Sequence, residues 1–254
     1  MVTWKQILLL SVCMLGMVST GVAETALIIA TGEYPPYISE RKNESFLTDV
    51  FDAVGKEMGV TFAFKFMPWK RCERALEKLT AWGAIPYAPT PDRERKFYFS
   101  DPLYFRQSLF FVHSVDEKKP QIPYATLTDL KGYRIGGVIG YYYEQPFREA
   151  GLNVEYVPTE EQNFRKLGAG RVDLIPADEV LGWYFIKKLF PLKEKDAFFT
   201  LPKPLSTGGD FLITSKQYPA TRTLLTNFNL ALKKIKENGV YQKILSQHGI
   251  LLTY

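Results

Sequence analysis

Short apolar strands alternate with helix-like segments over the first part of the chain. β-branched or alternating runs have the pattern of strands, and apolar residues three and four apart have the pattern of helices. These segments lie in turn at residues 26–31, 46–58, 60–66, 69–79 and 84–85. The βαβαβ order predicts an α/β fold with parallel strands and right-handed crossovers. Loops that follow such strands gather at one edge of the sheet, where we expect Tyr34, Trp69 and Arg93 to meet.

A second alternation of the same kind begins after a charged segment that contains two prolines. Its predicted strands and helices lie at residues 134–138, 141–150, 153–157, 160–167, 172–176 and 182–190. Two chain crossings, near residues 110–114 and 209–215, would join two lobes. Lobe 1 would hold residues 24–112 and 211–254, and lobe 2 would hold residues 113–210. We expect two mixed, mostly parallel sheets flanked by helices, with a two-strand hinge that opens and closes over a cleft.

The first 23 residues have the pattern of a secretory signal peptide. Lys5 precedes an apolar run at residues 7–18, and Gly21-Val22-Ala23 supplies small residues for cleavage. The run is short for a membrane span, which needs about 20 residues. Cys13 lies inside the run, and its lipidation stays open. Cleavage after Ala23 leaves Cys72 as the one cysteine, so no internal disulfide is expected.

Charge and the absence of certain motifs argue against two classes of function, nucleic-acid binding and catalysis. The formal net charge is +5, and lysines and arginines are interspersed with acids, so we expect no nucleic-acid partner. Downstream of the leader, only His113, His248 and Cys72 offer imidazole or thiol groups, and no nucleophile elbow, P-loop or H-E-x-x-H motif occurs. We therefore predict a protein that is not an enzyme and holds no cofactor or metal.

A proline-rich stretch carries the first candidate for ligand binding. Three prolines follow Ile85 within six residues, which predicts that the strand ends there in a turn and a charged coil. Ligands of open α/β sheets bind at such strand ends. The guanidinium of Arg93 on this coil is a fork suited to a carboxylate. The alternative is that Arg93, Arg95 and Lys96 form one solvated basic turn.

Several motifs occur together in a fixed order. T-P-D-R at residues 90–93 is followed six residues after the arginine by F-S-D-P. The others, in chain order, are Y-P-P-Y, F-x-x-D-x-x-x-A-x-x-x-x-M-G and P-W-K-R before it, and T-D-L-K-G-Y-R-I-G, G-R-V-D and K-E-N-G-V-Y-Q-K-I after it. The chain thereby resembles the bacterial extracellular solute-binding proteins of family 3, the polar amino-acid-binding type. The resemblance implies a two-lobed periplasmic-binding-protein type II fold.

The same resemblance implies a function. Such a protein captures a small polar solute with a carboxylate, such as an amino acid, and delivers it to the permease of an ABC transporter. It would act in the periplasm as a monomer. Two alternatives stay open: a sensing module that feeds a membrane receptor, and a dehydratase-like enzyme on the same fold with Glu179 or Glu33 as its acid.

By that resemblance, charged site residues come from both lobes. Arg93 matches the arginine that grips the ligand carboxylate, with Thr90 three residues before it, and Asp178 matches the acid that receives the ammonium. Asp178 could also cap the helix that follows it, and one carboxylate can serve both roles. The chain departs from the family pattern at four places. Ala88 replaces a hydroxyl residue, and Tyr141 after Gly140 replaces a small hydroxyl residue. Pro86 lies where a small residue normally offers its backbone, and Ala81-Trp82 replaces an acidic residue.

Aromatic residues complete the predicted site. Tyr34 and Tyr37 match positions that stack on the apolar part of a ligand, although packing at the rim of the cleft is the alternative. Trp69 and Arg71 lie at a predicted helix start on the cleft edge. Arg71 is a second candidate for binding an anion, and a solvated surface arginine is the alternative.

Overall fold

A computed structural model describes residues 26–41, 44–114, 122–191, 193 and 196–250. The predicted signal peptide and Cys13 lie outside the described residues, as does most of the predicted linker. Within the described ranges, the chain alternates strands and helices as the sequence predicts.

The strands and helices are numbered separately in chain order. The strands are β1 (Leu27–Thr31), β2 (Phe62–Phe66), β3 (Gly83–Tyr87), β4 (Phe97–Phe99), β5 (Tyr104–His113), β6 (Arg134–Val138), β7 (Asn153–Val157), β8 (Ile175–Asp178), β9 (Phe198–Thr200) and β10 (Ser206–Ser215). The helices are α1 (Phe46–Met58), α2 (Trp69–Glu77), α3 (Pro91–Lys96), α4 (Glu144–Glu149), α5 (Glu160–Gly168), α6 (Glu179–Leu189), α7 (Thr221–Glu237) and α8 (Val240–Gln247).

The first βαβαβ unit forms as predicted. Strand β1 pairs in parallel with β2 on one side and with β3 on the other. Helix α1 buries one apolar face that includes Phe46, Val50 and Val54, which recur at helical spacing. The helix ends at Gly59, whose φ of 67° is left-handed and favours glycine. The carboxyl ends of β1 and β3 therefore lie at the same edge of the sheet.

The proline-rich stretch differs from its prediction in two ways. Strand β3 continues through Pro86 to Tyr87 instead of ending at Ile85. The register with β10 shifts between Phe211 and Ile213, so the missing N–H of Pro86 falls at an irregularity of the ladder. The predicted charged coil is in fact the short helix α3. Proline at its first position and the Thr90 hydroxyl, which accepts a hydrogen bond from the Arg93 N–H at 3.2 Å, favour that helix.

The second alternation is also present, with shifted helix starts. Strands β6 and β7 are parallel, and Thr159 caps α5 by accepting from the Gln162 N–H. Helix α4 begins three residues later than predicted, because residues 140–143 form a turn in which Gly140 has a φ of 89°. Helix α6 begins at Glu179, three residues earlier than predicted, because Asp178 ends β8 and caps the helix directly.

Strands β5 and β10 connect the two parts of the fold. They pair antiparallel, with Tyr104 opposite Asp210 and Ser108 opposite Ser206. Strand β10 also pairs with β3 and β4, and β5 pairs with β8 and β9. The hydrogen-bonded strand order is β2-β1-β3-β10-β5-β8. Both crossing segments thus lie side by side in the sheet, between β3 and β8.

The C-terminal helices return to the first part of the fold. Helix α7 packs on α1, where Phe228 contacts Phe51 with ring centroids 5.2 Å apart. A second apolar cluster around Phe110, Ile135 and Phe147 fills the other part. Among the described residues, no helix combines the length and the apolar character that crossing a membrane requires.

Candidate functional site

A cavity of about 50 Å³ lies between the β1–β4 part and the β6–β9 part, above β5 and β10. Seven of the ten residues predicted for the site line it: Tyr34, Trp69, Ala88, Arg93, Gly140, Tyr141 and Asp178. The expected meeting of Tyr34, Trp69 and Arg93 is therefore seen. Groups of opposite charge face one small volume, which suits a small ligand with both a positive and a negative group.

Arg93 projects from α3 and is 7% exposed. Its Nε and Nη2 both donate to the Glu73 carboxylate of α2, at 3.1 and 3.0 Å. Its Nη1 donates to the Ala88 carbonyl at 3.0 Å, and Nη2 donates to the Gly140 carbonyl at 3.1 Å. The guanidinium also lies 4.7 Å from the ring centre of Tyr87. Arg93 is rigidly held in this conformation and bridges the two parts of the fold.

These contacts leave Arg93 little free capacity for a ligand. A guanidinium has five N–H groups, and four are used by Glu73, Ala88 and Gly140. Among the residues that the structure describes, one N–H on Nη1 has no acceptor. A ligand carboxylate would bind there or take the place of the Gly140 carbonyl, which belongs to the opposite part of the fold.

Asp178 lies at the end of β8 and is 2% exposed. Its Oδ1 accepts hydrogen bonds from the Leu181 N–H at 2.9 Å and from the Tyr37 hydroxyl at 2.8 Å. Burial raises the pKa of this carboxyl to about 6, and those two hydrogen bonds limit the rise. Its Oδ2 accepts no hydrogen bond from the described residues. Asp178 is therefore a helix cap with one oxygen still able to accept from a ligand.

Three predicted residues do not line this cavity. Tyr37 is fully buried beneath it and stacks on Tyr104 at 4.3 Å, so it supports Asp178 from below. Thr90 caps α3 and lines a neighbouring groove. Arg71 is exposed on the outer face of α2.

Three aromatic side chains close the cavity from both sides. The Tyr141 ring lies 6.2 Å from Tyr34 and 6.0 Å from Trp69, edge-on to each. Tyr34 and Trp69 come from the β1–β4 part, and Tyr141 comes from the loop after β6. The bulky residue that departs from the family pattern therefore narrows the cavity.

An ion pair on the crossing strands was missed by the sequence reasoning. Arg106 of β5 donates from Nε to Asp210 of β10 at 2.9 Å, and each side chain is 5% exposed. Both line the cavity. Burial acts to lower the pKa of Arg106, but the adjacent Asp210 carboxylate outweighs it and the pKa is raised. The available signal was a charged residue within an otherwise apolar strand pattern.

A buried carboxyl lies behind Tyr141. Glu160, at the start of α5, is 4% exposed, and neither of its oxygens has a hydrogen-bond partner among the described residues. The Tyr141 hydroxyl and the Asn163 amide are likewise buried without partners there. Burial raises the pKa of Glu160 to about 8, although the nearby Tyr141 hydroxyl limits the rise, so the neutral form predominates at pH 7. Within the described ranges, no group of three or more His, Cys, Asp or Glu side chains is placed to hold a metal ion.

Comparison with known proteins places the chain in a family. Residues 27–250 match the sequence profile of the bacterial extracellular solute-binding proteins, family 3. An arginine-binding periplasmic protein of Mannheimia haemolytica is 28% identical over 90% of this chain and 92% of its own. The ABC transporter arginine-binding protein 1 of Escherichia coli K12 is 28% identical over 84% of this chain and 86% of its own. The L-cystine-binding protein TcyJ of the same strain is 25% identical over 65% of this chain and 62% of its own.

Solved structures share the fold. An ancestral arginine-binding protein bound to arginine has a TM-score of 0.73 at 24% identity, covering 87% of this chain and 97% of its own. A histidine kinase sensor domain with similarity to periplasmic binding proteins has a TM-score of 0.77 at 20% identity, covering 91% and 99%. The two-lobed type II architecture implied by the motifs is confirmed. Because the family profile spans nearly all of the described chain, the protein belongs to the bacterial extracellular solute-binding proteins of family 3.

Proposed function

We propose that this solute-binding protein captures an amino acid, or a closely related small carboxylate, and delivers it to the permease of an ABC transporter. The relatives named above are all binding proteins: an arginine-binding periplasmic protein, an arginine-binding protein of an ABC transporter and an L-cystine-binding protein. We place its action in the periplasm, after removal of residues 1–23, and propose that it acts as a monomer.

The observation that carries this proposal is the presence of Arg93 and Asp178 in one cavity. Arg93 belongs to α3, beside the β1–β3 sheet, and Asp178 belongs to β8 in the other part. A zwitterion would place its carboxylate at Arg93 and its ammonium at Oδ2 of Asp178. Both charges are satisfied only when the cavity is closed, so ligand binding would favour the closed form.

We propose lobe 1 as residues 24–112 with 211–254, and lobe 2 as residues 113–210. The crossing would then bend where β5 pairs with β10. Tyr34, Trp69 and Tyr141 would contact the apolar part of the ligand, and Ala88, Gly140 and Thr90 would shape the wall around Arg93. Tyr37 would hold Asp178 in place, and Arg71 would attract anions at the rim.

A thermal-shift screen of amino acids, small organic acids and uncharged sugars tests the proposal. A ligand that binds only the folded protein stabilises it by about 2.7 kcal/mol at a hundredfold excess over Kd. We expect at least one amino acid to raise the melting temperature. A shift with sugars and with no carboxylate would contradict the proposed function.

A further inference from the structure

The floor of the cavity is built from one face of the crossing strands. Tyr104, Arg106 and Ser108 alternate along β5, and alternate residues of a strand point to the same face. Residues directly opposite in an antiparallel pair also share a face. Tyr104 is opposite Asp210, and Ser108 is opposite Asp178 of β8. Arg106 is therefore set between two aspartates on one surface, directly under the ligand cavity.

The contacts of Arg106 fix it in place but leave one nitrogen unused. Nε donates to Asp210, and Nη1 donates to the Ser108 and Ser206 hydroxyls at 2.6 and 3.2 Å. The guanidinium carbon lies 4.6 Å from the ring centre of Tyr142, which covers one face. Nη2 makes no hydrogen bond to the described residues.

The free nitrogen is accessible from the cavity. Arg106 lines the cavity, and its Nη2 atom is not completely enclosed by protein. The two N–H groups on Nη2 are therefore unused donors at the cavity floor. Arg93, by contrast, keeps one free N–H. The cavity thus has its largest unused donor capacity at Arg106.

We propose that Arg106 determines specificity by binding a second oxygen acceptor of the ligand, a side-chain carboxylate or amide carbonyl. This rests on the proposed function, with the α-carboxylate at Arg93 and the ammonium at Asp178. An arginine side chain has donors and no acceptor, so once a ligand covers Nη2 this nitrogen needs an oxygen opposite it. A cationic side chain offers only donors and the same charge.

The proposal therefore predicts a ligand preference that differs from arginine, the ligand given in the names of two relatives. Amino acids such as glutamate or glutamine present the required oxygen, and arginine or lysine do not. Asp210 and Tyr104 would act as positioning residues, since Asp210 accepts from both Arg106 and the Tyr104 hydroxyl and so holds the guanidinium in register.

Calorimetric titration with L-glutamate, L-glutamine, L-arginine and L-leucine tests this assignment. We expect glutamate or glutamine to bind about tenfold more tightly, or better, than arginine and leucine. Arg106→Lys keeps a positive charge beside Asp210 but removes Nη2, and it should weaken the preferred ligand by about tenfold or more. Arg134→Lys is the matched control, because Arg134 also pairs with an aspartate, Asp173, but is half exposed and away from the cavity. It should leave affinity unchanged.

Tighter binding of arginine or leucine by the wild-type protein would overturn the proposal, and so would an unchanged affinity in Arg106→Lys. The wild-type ranking needs no variant, so the test holds even if Arg106→Lys fails to fold. Absence of binding by every amino acid would instead contradict the proposed function itself. The two failures are therefore distinguishable.

Discussion

The two charged side chains proposed to bind the ligand, Asp178 and Arg93, are already held in place by other protein groups. Asp178 accepts from the Tyr37 hydroxyl while capping α6 through Leu181, and Arg93 is paired with Glu73. Each group thus already has protein partners before a ligand arrives, which limits the cost of burying a charge. Preorganisation of this kind lets a ligand bind without first ordering the side chains that receive it.

Glu160 is the exception, because its buried carboxyl has no partner among the described residues. Its pKa is raised from 4.5 to about 8, so between those values the folded state holds a proton that the unfolded state lacks. The contribution of Glu160 to the free energy of unfolding is complete below pH 4.5. It falls as the pH rises towards 8, by up to about 1.4 kcal/mol per pH unit. Glu160→Gln should remove that loss, so the variant gains stability over wild type between pH 6 and 8.

Denaturant unfolding at pH 6 and pH 8 measures this difference. Asp178 titrates in the same direction, but its pKa of about 6 places most of its effect below this window. Glu161→Gln is the control, because Glu161 is partly exposed and pairs with Arg165. An identical pH dependence in Glu160→Gln and wild type would show that the carboxyl is not held neutral.

At the scale of elements, helix α3 decides which arginine faces the cavity. Arg93 and Arg95 are two residues apart, so they lie on different faces of the helix. Arg93 is buried, whereas the Arg95 side chain is 69% exposed and pairs with Asp92 on the same helix. The motif drew attention to Arg93, which lines the cavity, but the helix was predicted as a coil because its proline-rich start also favours turns.

Replacing each arginine tests this division. Arg93→Ala should weaken amino-acid binding by about tenfold or more, since a charge-assisted contact in a closed cavity exceeds a surface pair. Arg95→Ala should change affinity little. Calorimetry gives both affinities, and circular dichroism checks that each variant is folded. Equal losses would mean that the basic segment as a whole, and not Arg93, attracts the ligand.

Partners that come from distant elements could not be read from the sequence. Glu73 reaches Arg93 because α2 packs beside α3, and Arg106 reaches Asp210 because β5 and β10 are adjacent, 104 residues apart in sequence. Local periodicity places each helix and strand, but it does not say which side chains meet across them. The limits of β6 and β7, at residues 134–138 and 153–157, agree with the prediction.

For the whole molecule, the fold brings opposite charges to one volume from two separate parts of the chain. Arg93 contacts the Gly140 carbonyl, Tyr37 contacts Asp178, and Tyr141 contacts Tyr34 and Trp69. All of these contacts join the β1–β4 part to the β6–β9 part. The conformation is therefore closed, and an opening at the β5–β10 crossing would break these contacts together.

The most direct test compares the best amino acid from the thermal-shift screen with two analogues by calorimetry. One analogue has the carboxylate converted to its amide, and the other lacks the amino group. If the zwitterion bridges Arg93 and Asp178, each analogue should bind about tenfold more weakly or worse, because it no longer makes the charge-assisted contact with Arg93 or with Asp178. If the analogue without the amino group binds as tightly as the amino acid, the bridging account is wrong.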